Sequence, residues 1–258
     1  MEQSKWALIT GASAGFGEAI AYKLASMNYH LILVARRNER LTQISKAITD
    51  TNPQAHIHCF ALDVRDKEAI NSGPLSDFLQ SIKIDLVVNN AGLAVGLNRL
   101  FEGDDDDWDR MIDTNIKGIL YVSRLVLPKM IAQRSGHIIN ISSIAGKQVY
   151  PLGNVYCATK HAVDALTRSM RMETAEYGIK VGMICPGAAE TEFSQVRFKG
   201  NTERAKEVYK GFDPLLAEDI AECLAFMVGR PNHVNIDDMV VTPRNQGAAS
   251  QIHRDISS

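Results

Sequence analysis

The most informative stretch of this chain is a glycine-rich octapeptide, TGASAGFG, at residues 10–17. It follows an apolar run at residues 6–10 and precedes a helical pattern from about Glu18 to Met27. Glycines at such a turn let backbone N–H groups approach a pyrophosphate, and the helix N-terminus adds a positive dipole end. The spacing is GxxxGxG and not the more familiar GxGxxG. The octapeptide predicts either a dinucleotide-binding loop or a strand-to-helix turn without a ligand; its candidate binding residues are Gly11, Ser13, Gly15, Phe16 and Gly17.

Short apolar runs alternate with longer helical patterns along the rest of the chain. They recur at residues 30–35, 56–62, 84–89, 137–142, 180–185 and 239–242. Near-continuous apolar strands separated by helices are typical of a parallel sheet that is covered on both faces. We therefore predict one α/β domain over residues 1–258, a Rossmann-type doubly wound parallel sheet with helices on both faces. Ligands of such a sheet bind beyond the carboxyl ends of its strands, where the strand order reverses.

The composition excludes several classes of protein. With 258 residues, 45% of them hydrophobic, and a net charge of −2, the chain has no bulk attraction to nucleic acid or to an anionic membrane. No apolar stretch approaches the roughly 18 residues of a membrane span. The four cysteines form no CxxC pair, which disfavours disulfides and zinc and fits a cytoplasmic location. The acidic run at residues 104–107 lacks the glycine and final glutamate of a calcium loop and suits a first helical turn, so we expect no metal.

The end of the second predicted strand indicates which dinucleotide binds. An NAD site has an Asp or Glu about 20 residues after the glycine motif, where it holds the ribose 2′-hydroxyl. Here the strand ends in Arg36 and Arg37, whose guanidinium groups suit a 2′-phosphate. The pattern predicts NADP; the alternative is two solvated arginines that open a helix. Asp63, followed by Val64 at the end of the third strand, would bind the adenine amino group or cap a helix.

A tyrosine and a lysine four residues apart, Tyr156 and Lys160, lie in a helical pattern that continues toward Met172. Residues at this spacing share one face of a helix. A tyrosine with its ordinary pKa near 10 is a poor base at neutral pH. We expect the lysine charge, and that of an oxidised nicotinamide, to lower the pKa of Tyr156. Tyr156 would then serve as general acid and base at a carbonyl oxygen, which the hydroxyl of Ser143 would stabilise.

Together these motifs resemble the short-chain dehydrogenase/reductase family, classical type, from Lys5 to about Thr242. The resemblance rests on residues 10–17, Asn89-Asn90-Ala91-Gly92, Asn115, Ser142-Ser143, Tyr156, Lys160 and Pro186-Gly187. It implies that Ser143, Tyr156 and Lys160 carry catalysis, that Asn115 helps to hold a water beside the lysine, and that the protein is a homotetramer. It also implies that Tyr156, Lys160 and residues 89–92 line the cofactor cleft, and that residues 186–187 border the nicotinamide.

Two segments near the C-terminal end indicate the substrate. Residues 192–201 and 241–243 resemble the NADP-dependent 3-hydroxy acid dehydrogenases, a subgroup that acts on serine, allo-threonine and related acids. The resemblance implies a substrate lid at about residues 188–212. In it, Arg197 would clamp a substrate carboxylate; the alternative is a solvated loop arginine. Ser143, Gln148, Tyr150 and Tyr156 are the other candidate substrate contacts.

Three functions are compatible with these residues. The first is NADP-dependent oxidation of a small 3-hydroxy acid such as L-serine, L-allo-threonine or 3-hydroxypropionate. A sulfonate would satisfy the same guanidinium, so the second is an NADPH-dependent reductase of sulfoacetaldehyde or other small carbonyls. The third is a non-catalytic NADP-binding sensor, which the complete catalytic set argues against because a sensor needs no proton relay. In the implied tetramer, the tail at about residues 243–258, with Gln246, would reach the pocket of a neighbouring subunit.

Overall fold

The computed structural model describes residues 5–255, without the side chain at position 206, so residues 1–4 and 256–258 of the predicted domain lie outside the described residues. The main sheet contains β1 (Lys5–Thr10), β2 (Tyr29–Ala35), β3 (Ile57–Ala61), β4 (Leu86–Asn89), β5 (Gly136–Ile141), β6 (Ile179–Pro186) and β7 (Asp238–Val241). The short strands β8 (Gln246–Ala248) and β9 (Gln251–Ile252) pair antiparallel.

Helices connect the strands. They are α1 (Gly15–Ser26), α2 (Asn38–Thr51), α3 (Lys67–Ser72), α4 (Pro74–Ser81), α5 (Asp105–Ile112), α6 (Gly118–Gln133), α7 (Asn154–Thr174), α8 (Phe193–Arg197), α9 (Thr202–Glu207) and α10 (Ala217–Val228). A π-helical segment, Asp113–Lys117, joins α5 to α6. Among the described residues, no helix combines the length and the apolar character that a membrane span needs.

All neighbouring strands of the main sheet pair in parallel, in the order β3-β2-β1-β4-β5-β6-β7. The strand order therefore reverses between β1 and β4, and the loops that follow these two strands border the crevice in which such sheets bind ligands. The predicted doubly wound parallel sheet is confirmed.

Alternate residues of each strand face opposite layers of helices. Ile9 of β1 packs in a core with α1, α2 and α10, whereas Leu8 packs in a second core with α3, α4, α6 and α7. Both side chains are fully buried. Because both faces are covered, the strands are apolar at nearly every position, which explains their continuous hydrophobic runs.

Two helix starts bear on the site. The first helix begins at Gly15, three residues earlier than predicted, because the last two glycines of the motif form its first turn. The acidic run forms the first turn of α5, as predicted: Asp104 is the N-cap residue and its carboxylate accepts from the N–H of Asp106 at 3.1 Å.

Candidate active site

The glycine motif forms a cradle at the carboxyl end of β1. Gly11 and Gly15 have positive φ angles of 65° and 53°, in the left-handed region that favours glycine. The side-chain amide of Asn90, just past β4, donates to the carbonyl oxygens of Thr10 and Gly11 at 2.9 and 3.2 Å. No side chain caps α1 at Ala14, so its first-turn N–H groups can serve an anion. These features fit a dinucleotide pyrophosphate.

Arg37 lies against the same cradle. Its guanidinium donates to the hydroxyl and the carbonyl oxygen of Ser13 at 3.2 Å and to the carboxylate of Glu192 at 2.9 Å. Arg36 is exposed beside it. Two cations at the end of β2 thus lie beside the hydroxyl of Ser13 in the cradle, an arrangement that fits the 2′-phosphate of NADP.

Asp63, which follows β3, does not cap the next helix. The carboxylate of Asp63 pairs with the Arg65 guanidinium at 2.7 Å, while Asp66 caps α3 by accepting from the N–H groups of Glu68 and Ala69. The helix-cap alternative for Asp63 is therefore wrong, because the next helix begins at Lys67, four residues later, and Asp66 is its N-cap. Val64 is buried and its side chain packs against Gly118.

The predicted catalytic residues converge beside this cradle. Tyr156 and Lys160, on one face of α7, are 8% and 5% exposed. The Lys160 ammonium donates to the carbonyl oxygen of Ile141 at 3.0 Å and lies 5.9 Å from the ring centroid of Tyr156. The Ser143 hydroxyl accepts from the N–H of Ala145 at 3.1 Å and donates to the carbonyl oxygen of Pro186 at 3.4 Å.

Burial, and not the lysine, dominates the proton affinity of Tyr156. Loss of solvent raises the pKa of Tyr156 above its usual value, and Tyr150 adds to this, against the opposing effects of Ser143 and Arg197. Burial also lowers the pKa of Lys160 to about 8. The expectation that Lys160 lowers the pKa of Tyr156 is therefore wrong for the protein alone, because desolvation outweighs a cation 5.9 Å from the ring centroid.

Asn115 lies in the π-helical segment and is 1% exposed. Its side-chain amide accepts from the N–H of Leu93 and donates to the carbonyl oxygen of the same residue, both at 2.8 Å, and also donates to the Thr159 hydroxyl at 3.0 Å. A methyl group on Gly92 would lie 3.3 Å from Asn115 Oδ1 and 3.4 Å from the Lys160 ammonium. The structure thus brings Asn115, Gly92 and Lys160 together. Single π turns of this kind are frequent at functional sites.

The predicted lid, residues 188–212, places Arg197 over this site. The Arg197 guanidinium donates to the Tyr150 hydroxyl at 3.0 Å and lies 5.8 Å from the ring centroid of Tyr156. Its Nε is buried and has no hydrogen-bond partner among the described residues. Phe193 of α8 packs on Tyr156 with ring centroids 5.7 Å apart. The site therefore has a cationic group next to the phenol.

Gln148 and Gln246 both contact other parts of their own chain. Gln148 is exposed, and its side chain accepts from the N–H of Ala249 at 2.7 Å, so it contacts the tail and not the Arg197 cavity. Gln246 is buried and accepts from the N–H of Ala188 at 2.8 Å, which places it at the base of the lid in its own chain. A methyl group on Gly187 would lie 2.2 Å from Gln246 Oε1.

Sequence reasoning missed two ion pairs that join the lid to the rest of the protein. Glu192 pairs with Arg37, and Lys199 pairs with Asp107. Both lid residues are charged and lie within the predicted lid, but no local pattern identifies a partner so far away in the sequence.

The chain belongs to the short-chain dehydrogenase family, whose family model matches residues 5–202. This confirms the resemblance that the motifs indicated.

Relatives match almost the whole chain. The NADP-dependent 3-hydroxy acid dehydrogenase of Schizosaccharomyces pombe is 39% identical over 251 residues, 97% of this chain and 96% of that protein. The enzyme of the same name from Escherichia coli K12 is 39% identical over 249 residues, 96% of this chain and 98% of that protein. The closed form of a serine dehydrogenase complexed with NADP+ has a TM-score of 0.87 at 38% identity, with 97% of this chain and 100% of that chain covered.

Proposed function

We propose that this protein transfers a hydride between NADP(H) and the hydroxyl-bearing carbon of a small 3-hydroxy acid, such as L-serine, L-allo-threonine or 3-hydroxypropionate. It is an NADP-dependent short-chain dehydrogenase that acts on CH–OH groups, as its family and its relatives indicate. The choice of substrate is the part that needs a test. It is supported by two relatives named for 3-hydroxy acids and by the chemistry of Arg197.

The partly buried guanidinium of Arg197 carries the proposal. A guanidinium binds a carboxylate through two parallel N–H···O bonds. Arg197 has a buried Nε without a partner in the described chain, and its group lies 5.8 Å from the ring centroid of Tyr156. A small acid held there would have its hydroxyl carbon near the phenol, since only a short carbon chain separates the two groups. Among charged substrates, an anion is the one this cation favours.

The other residues have roles that their positions support. When bound, NADP+ supplies the hydride acceptor. In oxidation, Tyr156 would act in its deprotonated form, which the positive charge of the oxidised nicotinamide would favour. Its Oη accepts the hydroxyl proton while the C3 hydrogen leaves as hydride, which yields a 3-oxo acid and NADPH, and the proton then passes from Tyr156 to solvent. In reduction, the same phenol donates its proton, and its raised pKa keeps that proton bound at neutral pH. Ser143 stabilises the reacting oxygen, and Asn115 and Lys160 connect the phenol to the proton relay that the family resemblance implies.

Steady-state kinetics test the substrate. We expect kcat/KM with NADP+ to be higher for L-serine, L-allo-threonine or 3-hydroxypropionate than for isethionate, and higher than that of sulfoacetaldehyde with NADPH. A hundredfold preference for isethionate or its aldehyde would instead establish the sulfonate reductase. No turnover with any of them, together with tight NADPH binding, would favour the sensor.

A pair of lid variants tests Arg197 itself. Arg197→Met should raise the KM for acids by roughly ten- to a hundredfold, the loss of a charge-assisted hydrogen bond, and should change the KM for uncharged alcohols little. Arg204→Met is the matched control, because Arg204 is exposed and packs on Phe198 in the same lid. Equal effects of the two variants would show that Arg197 does not bind the substrate. The homotetramer stays a prediction, which light scattering would test.

A further inference from the structure

The acidic start of α5 contacts the lid beside Arg197. The Lys199 ammonium lies 2.8 Å from Oδ2 of Asp107 and 3.4 Å from Oδ2 of Asp104. Lys199 follows Arg197 by two residues, and the cavity lined by Arg197 and Tyr156 is also lined by both aspartates. The acidic run thus has a contact that its role in starting a helix does not explain.

Of the two aspartates, Asp107 is the nearer to the Lys199 ammonium. It is 5% exposed, and a buried carboxylate is costly unless a cation or hydrogen-bond donors compensate its charge. Among the described residues, no donor forms a hydrogen bond of regular geometry with its Oδ2. The Arg110 guanidinium is more distant, 3.9 Å from Oδ1. Lys199 is therefore the principal compensation for the Asp107 charge.

Lys199 lies in the turn that follows α8. Lys199 has a φ of 50°, in the left-handed region that is unfavourable for residues with a Cβ. The N–H of Gly200 donates to the carbonyl oxygen of Gln195 at 2.9 Å, which stabilises this turn. The contact with Asp107 raises the pKa of Lys199, which keeps the ammonium charged.

The lid is also fixed through Arg197 itself. The Arg197 carbonyl oxygen accepts from the N–H of Gly96 at 3.1 Å. A methyl group on Gly96 would lie 3.1 Å from Asp107 Oδ2. The lid therefore contacts the loop after β4 and the buried carboxylate of Asp107 at the same place. The first contact is the hydrogen bond to the backbone of Arg197, and the second is the ion pair of Lys199.

We propose that Lys199 and Asp107 form a latch that fixes the lid and so positions the Arg197 guanidinium over the substrate pocket. Both are positioning residues, since the latch acts through Arg197. The proposal depends on the proposed function only for the role of Arg197 in binding an acid; the fixing of the lid does not depend on it.

Limited proteolysis and kinetics of one set of variants test the latch. Chymotrypsin cleavage after Phe198, followed by mass spectrometry on the NADPH-bound protein, measures how often the lid opens. Lys199→Met should accelerate this cleavage roughly tenfold and raise the KM for the acid substrate by a similar factor, with kcat changed less than about twofold. Lys210→Met is the matched control, because Lys210 is an exposed lid lysine that, within the described part of the chain, pairs with the exposed Glu207 and not with Asp107.

Two further variants separate a latch from a general structural role. Lys199→Arg should keep the wild-type KM and cleavage rate, since it keeps the cation. Adding Asp107→Asn to Lys199→Met should recover part of the loss, because it removes the uncompensated buried charge. The latch is refuted if Lys199→Met behaves like Lys210→Met, or if the double variant is no better than Lys199→Met. If the enzyme shows no preference for acids, the proposed function fails, while the cleavage rates still decide the latch.

Discussion

The guanidinium of Arg37 binds the cofactor loop and the base of the lid at the same time. It donates to Ser13 at 3.2 Å and to Glu192 at 2.9 Å. A 2′-phosphate bound by Arg37 and Ser13 would compete with the Glu192 carboxylate for this guanidinium. The Glu192 carboxylate therefore weakens the binding of NADP(H) and has no effect on the binding of NAD(H), which lacks the 2′-phosphate.

Replacing the competing carboxylate should strengthen NADP(H) binding. Both side chains of the Arg37–Glu192 pair are 48% exposed, and exposed pairs contribute about 0.2–1 kcal/mol. We expect Glu192→Gln to lower the Kd of NADPH by at most about fivefold and to leave the Kd of NADH unchanged. Fluorescence titration measures both, with the exposed lid residue variant Glu190→Gln as control. Equal tightening of the two cofactors would contradict the competition.

Removing the cations at the end of β2 should reverse the cofactor preference. Arg36→Ala combined with Arg37→Ala should raise the KM for NADP+ by roughly ten- to a hundredfold through the lost charge-assisted contacts, with much less change for NAD+. Arg40→Ala is the control, since Arg40 pairs with Glu18 on the adjacent helix. If the KM of both cofactors rises equally, the two arginines do not read the 2′-phosphate.

The phenol of Tyr156 should be needed for turnover and not for cofactor binding. Tyr156→Phe keeps the ring that packs on Phe193 and removes the proton donor, so kcat should fall by roughly 10²–10⁴-fold or more. The Kd of NADPH should stay within about twofold. Tyr177→Phe, at a partly buried tyrosine remote from the site, controls for loss of a hydroxyl. Turnover that survives in Tyr156→Phe would remove this residue from the mechanism.

The buried Lys160 should make the free energy of unfolding increase with pH in the alkaline range. Burial lowers its pKa to about 8 from 10.5. Between these values the folded protein releases a proton that the unfolded chain still holds, so stability rises with pH. Relative to Lys160→Met, the free energy of unfolding should increase by about 2–3 kcal/mol from pH 7 to pH 10.5. Urea unfolding of both proteins measures this; parallel pH curves would show that the lysine is solvated.

His137 should account for part of the acid sensitivity. Burial, with a contribution from Lys180, lowers its pKa to about 3 from 6.5, and its Nε2 lacks a hydrogen-bond partner among residues 5–255. The unfolded chain binds a proton below pH 6.5 that the folded protein refuses, so stability falls as the pH decreases from 6.5 toward 3. Between pH 7 and pH 5, the free energy of unfolding of His137→Leu, measured with urea, should decrease by about 2 kcal/mol less than that of the wild type. An identical loss in both proteins would contradict this.

The features that the sequence predicted are local ones. The glycine motif, the alternation of strands and helices, and the Tyr156–Lys160 spacing each occupy a short stretch, and the position of a motif after a strand fixes where it lies on a parallel sheet. The candidate catalytic residues could therefore be placed together before any coordinates. What differed depended on packing: Gln148 contacts the tail because the chain returns to it a hundred residues later.

Burial and long-range pairing explain the remaining differences. The direction of the Tyr156 pKa shift follows from how much solvent surrounds the phenol, and no sequence pattern shows that. The Arg37–Glu192 pair joins residues 155 positions apart, and charged residues are too common for such partners to be identified by type. The π-helical segment is equally hidden, since its residues would also fit a regular helix.

The π-helical segment allows α5 and α6, which form one nearly continuous helix, to pack against two different clusters of side chains. On its N-terminal side, Met111 of α5 packs with Tyr156 at the site, whereas Val122 of α6 lies in the core below the sheet. Each residue advances an α-helix by about 100°. The extra residue of the π-helical segment therefore rotates the side chains of α5 by about that angle relative to those of α6. Deleting Ile116 or Lys117 would thus leave α6 in the core and rotate Asn115, Met111 and Asp107 together, away from their partners.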